Sequence, residues 1–205
     1  MTRKPRQARS ISTVNAIIEA GFIAVADAGS TPVTTRQIAD IAGISVGSLY
    51  EYFKNKEAIY DAMAEKFMTD VISMIQPVLP VLARLPADEL IRTLMHRFRD
   101  LLDANNQRYR KCVRTSIHAQ FHQYLQPVSR VMMDLVMHYL MANPKLMRAG
   151  KVQTMSYIFI SSGIYCVVRH VSDPAPPISY DEMTEGVIDM VMSYLEKASI
   201  EDYSS

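Results

Sequence analysis

Long uncharged runs, paired cysteines and alternating apolar residues are all scarce in this 205-residue chain. Its two cysteines, Cys112 and Cys166, stand far apart and outside any CxxC spacing, so neither a disulfide framework nor a zinc ribbon is suggested and a reducing cytoplasm fits. No segment approaches the ~18 uncharged residues that a membrane span needs. The basic start followed by IIEAGFIAVADAG has the outline of a signal peptide, but Asn15, Glu19 and Asp27 break up any apolar run there. The expected location is therefore the cytoplasm, with no membrane partner. No stretch reads as a strand and no internal repeat is visible. There is no GxSxG elbow and no HExxH pair, and GISVGS lacks the lysine of a phosphate-binding loop, so the sequence predicts neither an enzyme nor a bound cofactor.

What is present is helical. Apolar residues make up 49% of the chain, ample for a core. The net charge of +1 hides an asymmetry, because Arg3, Lys4, Arg6 and Arg9 crowd the first nine residues without an acidic partner. Val14, Ile17, Ile18, Phe22 and Val25 follow helical spacing, and Gly29 supplies a stop. Thr34 with Gln37 forms a capping box stapled by Val33 and Ile38, so a second helix starts near Thr35 and presents Ile38, Ile41 and Ala42 to the core. Gly43 ends it, and Ser45 caps a third helix in which Leu49 and Phe53 face inward. Asn55 caps a fourth, running through Ile59, Met63, Phe67 and Ile75 until Pro77.

Two short helices meeting across a glycine-containing turn are the sequence form of a helix-turn-helix. The outward residues of the third helix, Val46, Gly47, Ser48, Tyr50 and Tyr52, are small at the front, as a helix entering a major groove requires. Helix starts at Thr34 and Thr35 and at Asn55 and Lys56 present free N–H groups beside it, and such ends attract phosphates. Lys56 is wrong for the helix macrodipole, an oddity that a phosphate would resolve. Arg36 can reach a guanine edge or a phosphate. The bland alternative is a helical hairpin with a solvated face.

The stretch TPVTTRQIADIAGISVGSLYEYFKNKEAI closely resembles the DNA-binding region of the TetR family of transcriptional regulators. Thr34, Thr35, Ile38, Ala39, Ala42, Gly43, Ser45, Gly47, Leu49, Tyr50, Phe53, Lys56 and Glu57 agree with the family pattern, over roughly the first third of the chain. The resemblance implies a homodimeric, usually repressing regulator released from double-stranded operator DNA by a small-molecule effector. It implies that Thr35, Tyr50, Tyr52 and Lys56 hold the DNA backbone, while Arg36 and Val46 with Gly47 meet bases. Where some members carry a polar base-reading side chain, this chain has Val46 and Gly47, which points to thymine methyls and DNA shape.

The expected architecture is all-α. An N-terminal three-helix helix-turn-helix domain with a basic arm (1–55) leads through a connecting helix (56–76) into a larger helical effector-binding and dimerisation domain (77–205). In that domain PVLPVLARLP reads as a proline-punctuated connector. Stripes of Ile91, Leu94, Met95, Phe98 and Leu101, of Val113, Ile117 and Phe121, and of Val131, Leu135 and Tyr139 follow. Long helices then run from about Lys151 to Val171 and from about Tyr180 to Lys197, the latter behind a Ser179–Glu182 capping box. The wide stripes of the last two predict a dimer surface with Phe159, Gly163, Val167, Val187, Met190, Val191 and Tyr194. Gly163 invites close helix approach, since a helical glycine otherwise costs ~1 kcal/mol against alanine. Fourteen methionines suggest an adaptable interior for an uncharged or weakly polar ligand. Candidates for lining it are Met95, Phe98, His118, Phe121, His122, Met133, Met137 and Tyr157. His118 and His122 stand four apart, but without a tight third ligand no metal site is expected. The rival reading is an effector-independent or nucleoid-associated DNA-binding protein on the same fold.

Overall fold

The structure, a computed structural model, describes residues 8–29, 31–115, 121–144, 146 and 151–201. Along it run α1 (Ala8–Ala28), α2 (Thr35–Ala42), α3 (Val46–Tyr52), α4 (Lys56–Ile75), a 3-10 turn (Gln76–Val78), α5 (Leu79–Leu82), α6 (Ala87–Thr115), α7 (Phe121–Ala142), α8 (Val152–Ser172) and α9 (Tyr180–Glu201). No strand occurs among the described residues, and the fold is all-α. The chain divides into two compact units, Met1–Thr69 with Leu102–Tyr124, and Asp70–Leu101 with Leu125–Ser205. The divisions fall inside α4, α6 and α7, so each of these helices contributes to both units.

In the first unit α1 is the one described helix with the length and apolarity of a membrane span, at a mean hydropathy of 1.4 over Arg9–Ala28. Its apolar side is nevertheless occupied: Ile17 and Phe22 are fully buried, Val25 nearly so, and α1 packs on α2. At Gly21 a Cβ would lie 2.6 Å from Met63 Sδ, so the missing side chain leaves room for the Met63 thioether against α1. Ile59, Met63 and Phe67 of α4 complete the core.

A segment distant in sequence joins them. α6 breaks at Ala104, where ψ is 158°, and Asn105, Asn106 and Gln107 follow with φ of 51°, 59° and 58°. Asparagine tolerates this left-handed backbone better than other side chains do, which accounts for two of the three positions. Beyond the break the Tyr109 ring stands edge-on to Phe22 at 5.0 Å and tilted against Phe67 at 4.8 Å. Arg108 pairs with Glu19 of α1, and the Cys112 thiol donates to the Phe22 carbonyl at 3.6 Å. Burial pushes that thiol up to about 12, so it stays neutral at physiological pH. Val113 lies in α6 and is buried, Phe121 is the first described residue of α7, and Ile117 between them lies outside the described residues.

The second unit packs around Leu82, Leu90 and Leu135, with Ile91, Leu94, Met132 and Tyr139 against them. Within PVLPVLARLP the first six residues are helical, because Pro77 and Pro80 each fall in the opening positions of a short helix, where no helical hydrogen bond is lost, and residues 83–86 turn into α6. The buried face of α9 is Tyr180, Met183, Thr184 and Ile188. The Tyr180 hydroxyl donates to the Met95 carbonyl at 2.9 Å, and Arg92–Glu185 and Arg99–Asp181 pairs at 2.9 and 2.7 Å fasten α9 to α6. Ser179 and Glu182 form the expected reciprocal cap at 2.7 and 3.1 Å.

Candidate nucleic-acid interface

Local chemistry fixes the start of α2. The Gln37 amide donates to Thr34 Oγ1 at 3.2 Å while Gln37 Oε1 accepts from the Thr34 amide at 2.8 Å, a complete capping box. At the other end Gly43 adopts φ 70°, ψ 30°, where a Cβ would be strained, and the Ile44 amide closes back on the Ala39 carbonyl at 3.0 Å. The turn into α3 is then set by Ser45, whose hydroxyl accepts from the Ser48 amide at 3.0 Å and donates to Ser48 Oγ at 3.0 Å. Leu49 is fully buried and Phe53 is 8% exposed, and these two hold α3 down.

One inward assignment is corrected. Ile41 is 44% exposed, and Ala39 is buried in its place beside Ile38. At ~100° per residue the face centred on Ile38, Ala39 and Ala42 leaves Ile41 about a right angle away.

The residues expected to touch DNA are all at least partly accessible. Thr34, Arg36, Ser45, Gly47 and Tyr50 are exposed, with Thr35, Val46, Ser48, Tyr52 and Lys56 half-buried among them. The structure joins two of them directly: Thr35 Oγ1 and Tyr50 Oη lie 3.2 Å apart, a hydrogen bond from the start of α2 to the outer face of α3. Asn55 Oδ1 accepts from the Ala58 amide at 2.9 Å, capping α4 as expected. Arg3, Lys4 and Arg6 lie outside the described residues; Arg9 is exposed on the first turn of α1.

Lys56 is the surprise. Its ammonium donates to the Val33 carbonyl at 3.1 Å and sits 5.6 Å from the centre of the Tyr60 ring. Burial first, and the Glu57 charge second, push the Tyr60 phenol above its usual range, so the ring beneath the cation is neutral. Sequence reading missed both partners of Lys56. The four-residue step from Lys56 to Tyr60 was a signal for the second, since such pairs are neighbours on a helix.

The other candidate residues scatter. Of those expected at a dimer surface, Val167 is buried within its own unit and the Phe159 ring stands edge-on to Tyr194 at 5.4 Å, while Met190 is 39% exposed. Gly163, Val187 and Val191 are half-buried, and a Cβ on Gly163 would meet nothing within 4 Å in its own chain. Among the ligand candidates Met95 is buried and Phe98 and Met133 are half-buried, but Met137 and Tyr157 face outward at 41% and 69% exposure. His118 lies outside the described residues; Phe121 and His122 open α7, and their side chains lie outside the described set. Among the described residues no three His, Cys, Asp or Glu side chains gather as a metal would require.

Residues 17–63 match the model of bacterial regulatory proteins of the tetR family, a span from α1 into α4. The chain is 39% identical to the class C tetracycline repressor protein of Escherichia coli over 54 residues, which is 26% of this chain and 25% of that protein. It is 24% identical over 175 residues to the HTH-type transcriptional repressor KstR2 of Rhodococcus jostii, covering 83% of this chain and 84% of that one. Among solved structures, the fatty acid degradation regulator FadR of Bacillus halodurans superposes with a TM-score of 0.65 at 15% identity, over 90% of this chain and 94% of that chain. At that identity the likeness is one of fold.

Proposed function

We propose that this chain, a member of the TetR family of transcriptional regulators, is a repressor that binds a palindromic operator as a homodimer and leaves it when a small apolar or weakly polar effector binds. The carrying observation is the single face on which α2 and α3 present Thr34, Thr35, Arg36 and the slim front of α3, clipped together by Thr35 and Tyr50. Val46 and Gly47 let α3 enter a major groove, where thymine methyls and groove shape are read, while Arg36 reaches a base edge or phosphate. Ser45, Ser48, Tyr50 and Tyr52 flank that front, and the N–H groups at the start of α2 meet the backbone. The protein acts in the cytoplasm, where the operator is.

Exposed apolar side chains on α8 and α9, including Tyr165 at 64% and Met190 at 39%, support a surface for a second copy. Two recognition helices must sit ~34 Å or a multiple apart to enter successive grooves, so a dimer is what makes a palindrome readable. Met95, Phe98 and Met133 of the second unit support an adaptable apolar site. Coupling between effector and operator is reciprocal, each weakening the other by the same factor, typically ~5–150-fold.

Selection of bound duplexes from a random-sequence pool tests this reading. A two-fold symmetric sequence should be enriched. Uniform retention of the pool, with a coating footprint, would instead favour a nucleoid-associated protein on the same fold.

A further inference from the structure

We propose that Lys56 is a positioning residue for the DNA-binding face: it fixes the start of α2 through the Val33 carbonyl instead of gripping a phosphate. The proposal rests on the reading of this face as DNA-binding and assigns one residue's part in it. Lysine at the first position of a helix is repelled by the helix's own positive end. A phosphate could relieve that repulsion, but the protein already does so. Lys56 is half-buried, and its ammonium has a carbonyl oxygen at 3.1 Å and the face of a neutral aromatic ring at 5.6 Å. A cation so placed needs no DNA to account for it.

The acceptor matters because of where it sits. Val33 is 6% exposed, so its side chain is anchored in the core, and its carbonyl immediately precedes Thr34, the cap of α2. Lys56 therefore ties the first turn of α4 to the cap of α2, and Thr35 in turn is tied to Tyr50 of α3 at 3.2 Å. The start of α2 is held from both sides by two side-chain hydrogen bonds, each to a different helix. Rigid placement of this end presets the N–H groups of α2 and Arg36 for DNA, and ordering that is complete before binding does not subtract from affinity.

The two roles separate in the salt dependence. A side chain that neutralises a phosphate releases a counterion, and its loss lowers the slope of log K against log salt by ~0.9. A positioning residue lowers K and leaves the slope alone. The test is Lys56→Met, which keeps the apolar stem and removes the ammonium, in the full-length protein. The DNA is a duplex selected by the wild-type protein from a random-sequence pool, titrated across a salt series. In parallel, amide exchange of the free protein is followed at Gln37 and Ile38, whose N–H groups bond to Thr34 at 3.2 Å in both cases, and in α9 as a control.

The expected result is exchange about tenfold faster at Gln37 and Ile38 and unchanged in α9, with affinity about tenfold weaker, the effect of one charge-assisted hydrogen bond, and the salt slope unchanged. A slope lower by ~0.9 makes Lys56 a phosphate ligand and overturns the proposal. Unchanged affinity overturns it, as does unchanged exchange at Gln37 and Ile38 or an equal rise in α9. If the wild-type protein enriches no duplex, the DNA-binding reading fails, while the exchange arm still decides whether Lys56 holds the start of α2.

Discussion

Truncating Tyr109 to alanine tests whether the segment after the left-handed turn is part of the first unit's core. The ring is 3% exposed and touches Phe22 of α1 and Phe67 of α4, with centroids at 5.0 and 4.8 Å. Removing a buried aromatic side chain costs ~3–5 kcal/mol, of which the two ring contacts supply ~0.5–1.5 each. Since ~1.4 kcal/mol is a factor of ten, the most protected amides of α1 should exchange roughly two to three and a half powers of ten faster. Tyr109→Leu restores apolar volume without the ring contacts and should fall between the two. Tyr165→Ala is the control: that side chain is 64% exposed, and its truncation should leave α1 exchange within about twofold. Less than a tenfold increase in Tyr109→Ala would refute the packing of residues 108–115 onto α1 and α4.

Three further outcomes are expected. Thr35→Ala and Tyr50→Phe should each weaken binding to the selected duplex, and the double variant should lose less than their sum by ~0.5–1.5 kcal/mol, because both delete one hydrogen bond; strict additivity in fluorescence titrations would contradict the clip. Gly163→Leu should leave the second unit's thermal stability intact, since its own chain has open space there, yet lower self-association in sedimentation; an intact dimer would refute close approach of copies at Gly163. Acid should weaken the second unit. A backbone hydrogen bond from Ser179 holds Glu182 below its usual 4.5, the Arg92 side chain does the same for Glu185, and the Ala175 amide holds Asp173 below its usual 3.8. Carboxyls lowered in the fold stabilise it above their unfolded values and lose that contribution as pH falls through the folded ones. Urea midpoints of the second unit should therefore decline below about pH 4.5, less steeply in Glu185→Gln, and a flat profile would refute these contacts.

What was legible in the sequence was local. Thr34 with Gln37, Gly43, Ser45 and Asn55 each act on a backbone group within a few positions, so residue type and spacing alone placed α2, α3 and the start of α4. Burial of α4's stripe followed from its period. Contacts that span the chain left no such trace: Lys56 reaches back 23 positions to Val33, and Arg108 reaches 89 to Glu19. The turn at Asn105–Gln107 had a partial signal in its paired asparagines, but a helical stripe on either side masked it. Ile41 shows the limit of pattern on an eight-residue helix, where a single apolar residue off the buried face cannot be told from one on it. The second unit's outward tyrosines, Tyr157 and Tyr165, were indistinguishable from core by type and were settled only by which side of α8 meets α9.

The central claim is that the α2–α3 face is what touches DNA, and amide exchange of the protein with and without its selected duplex measures that directly. Protection should appear at Thr34–Arg36 and across Ser45–Tyr52, with Asp88–Arg99 and Tyr180–Asp189 unchanged in the first seconds. Protection confined to α8 and α9, with α2 and α3 exchanging as in the free protein, would contradict it.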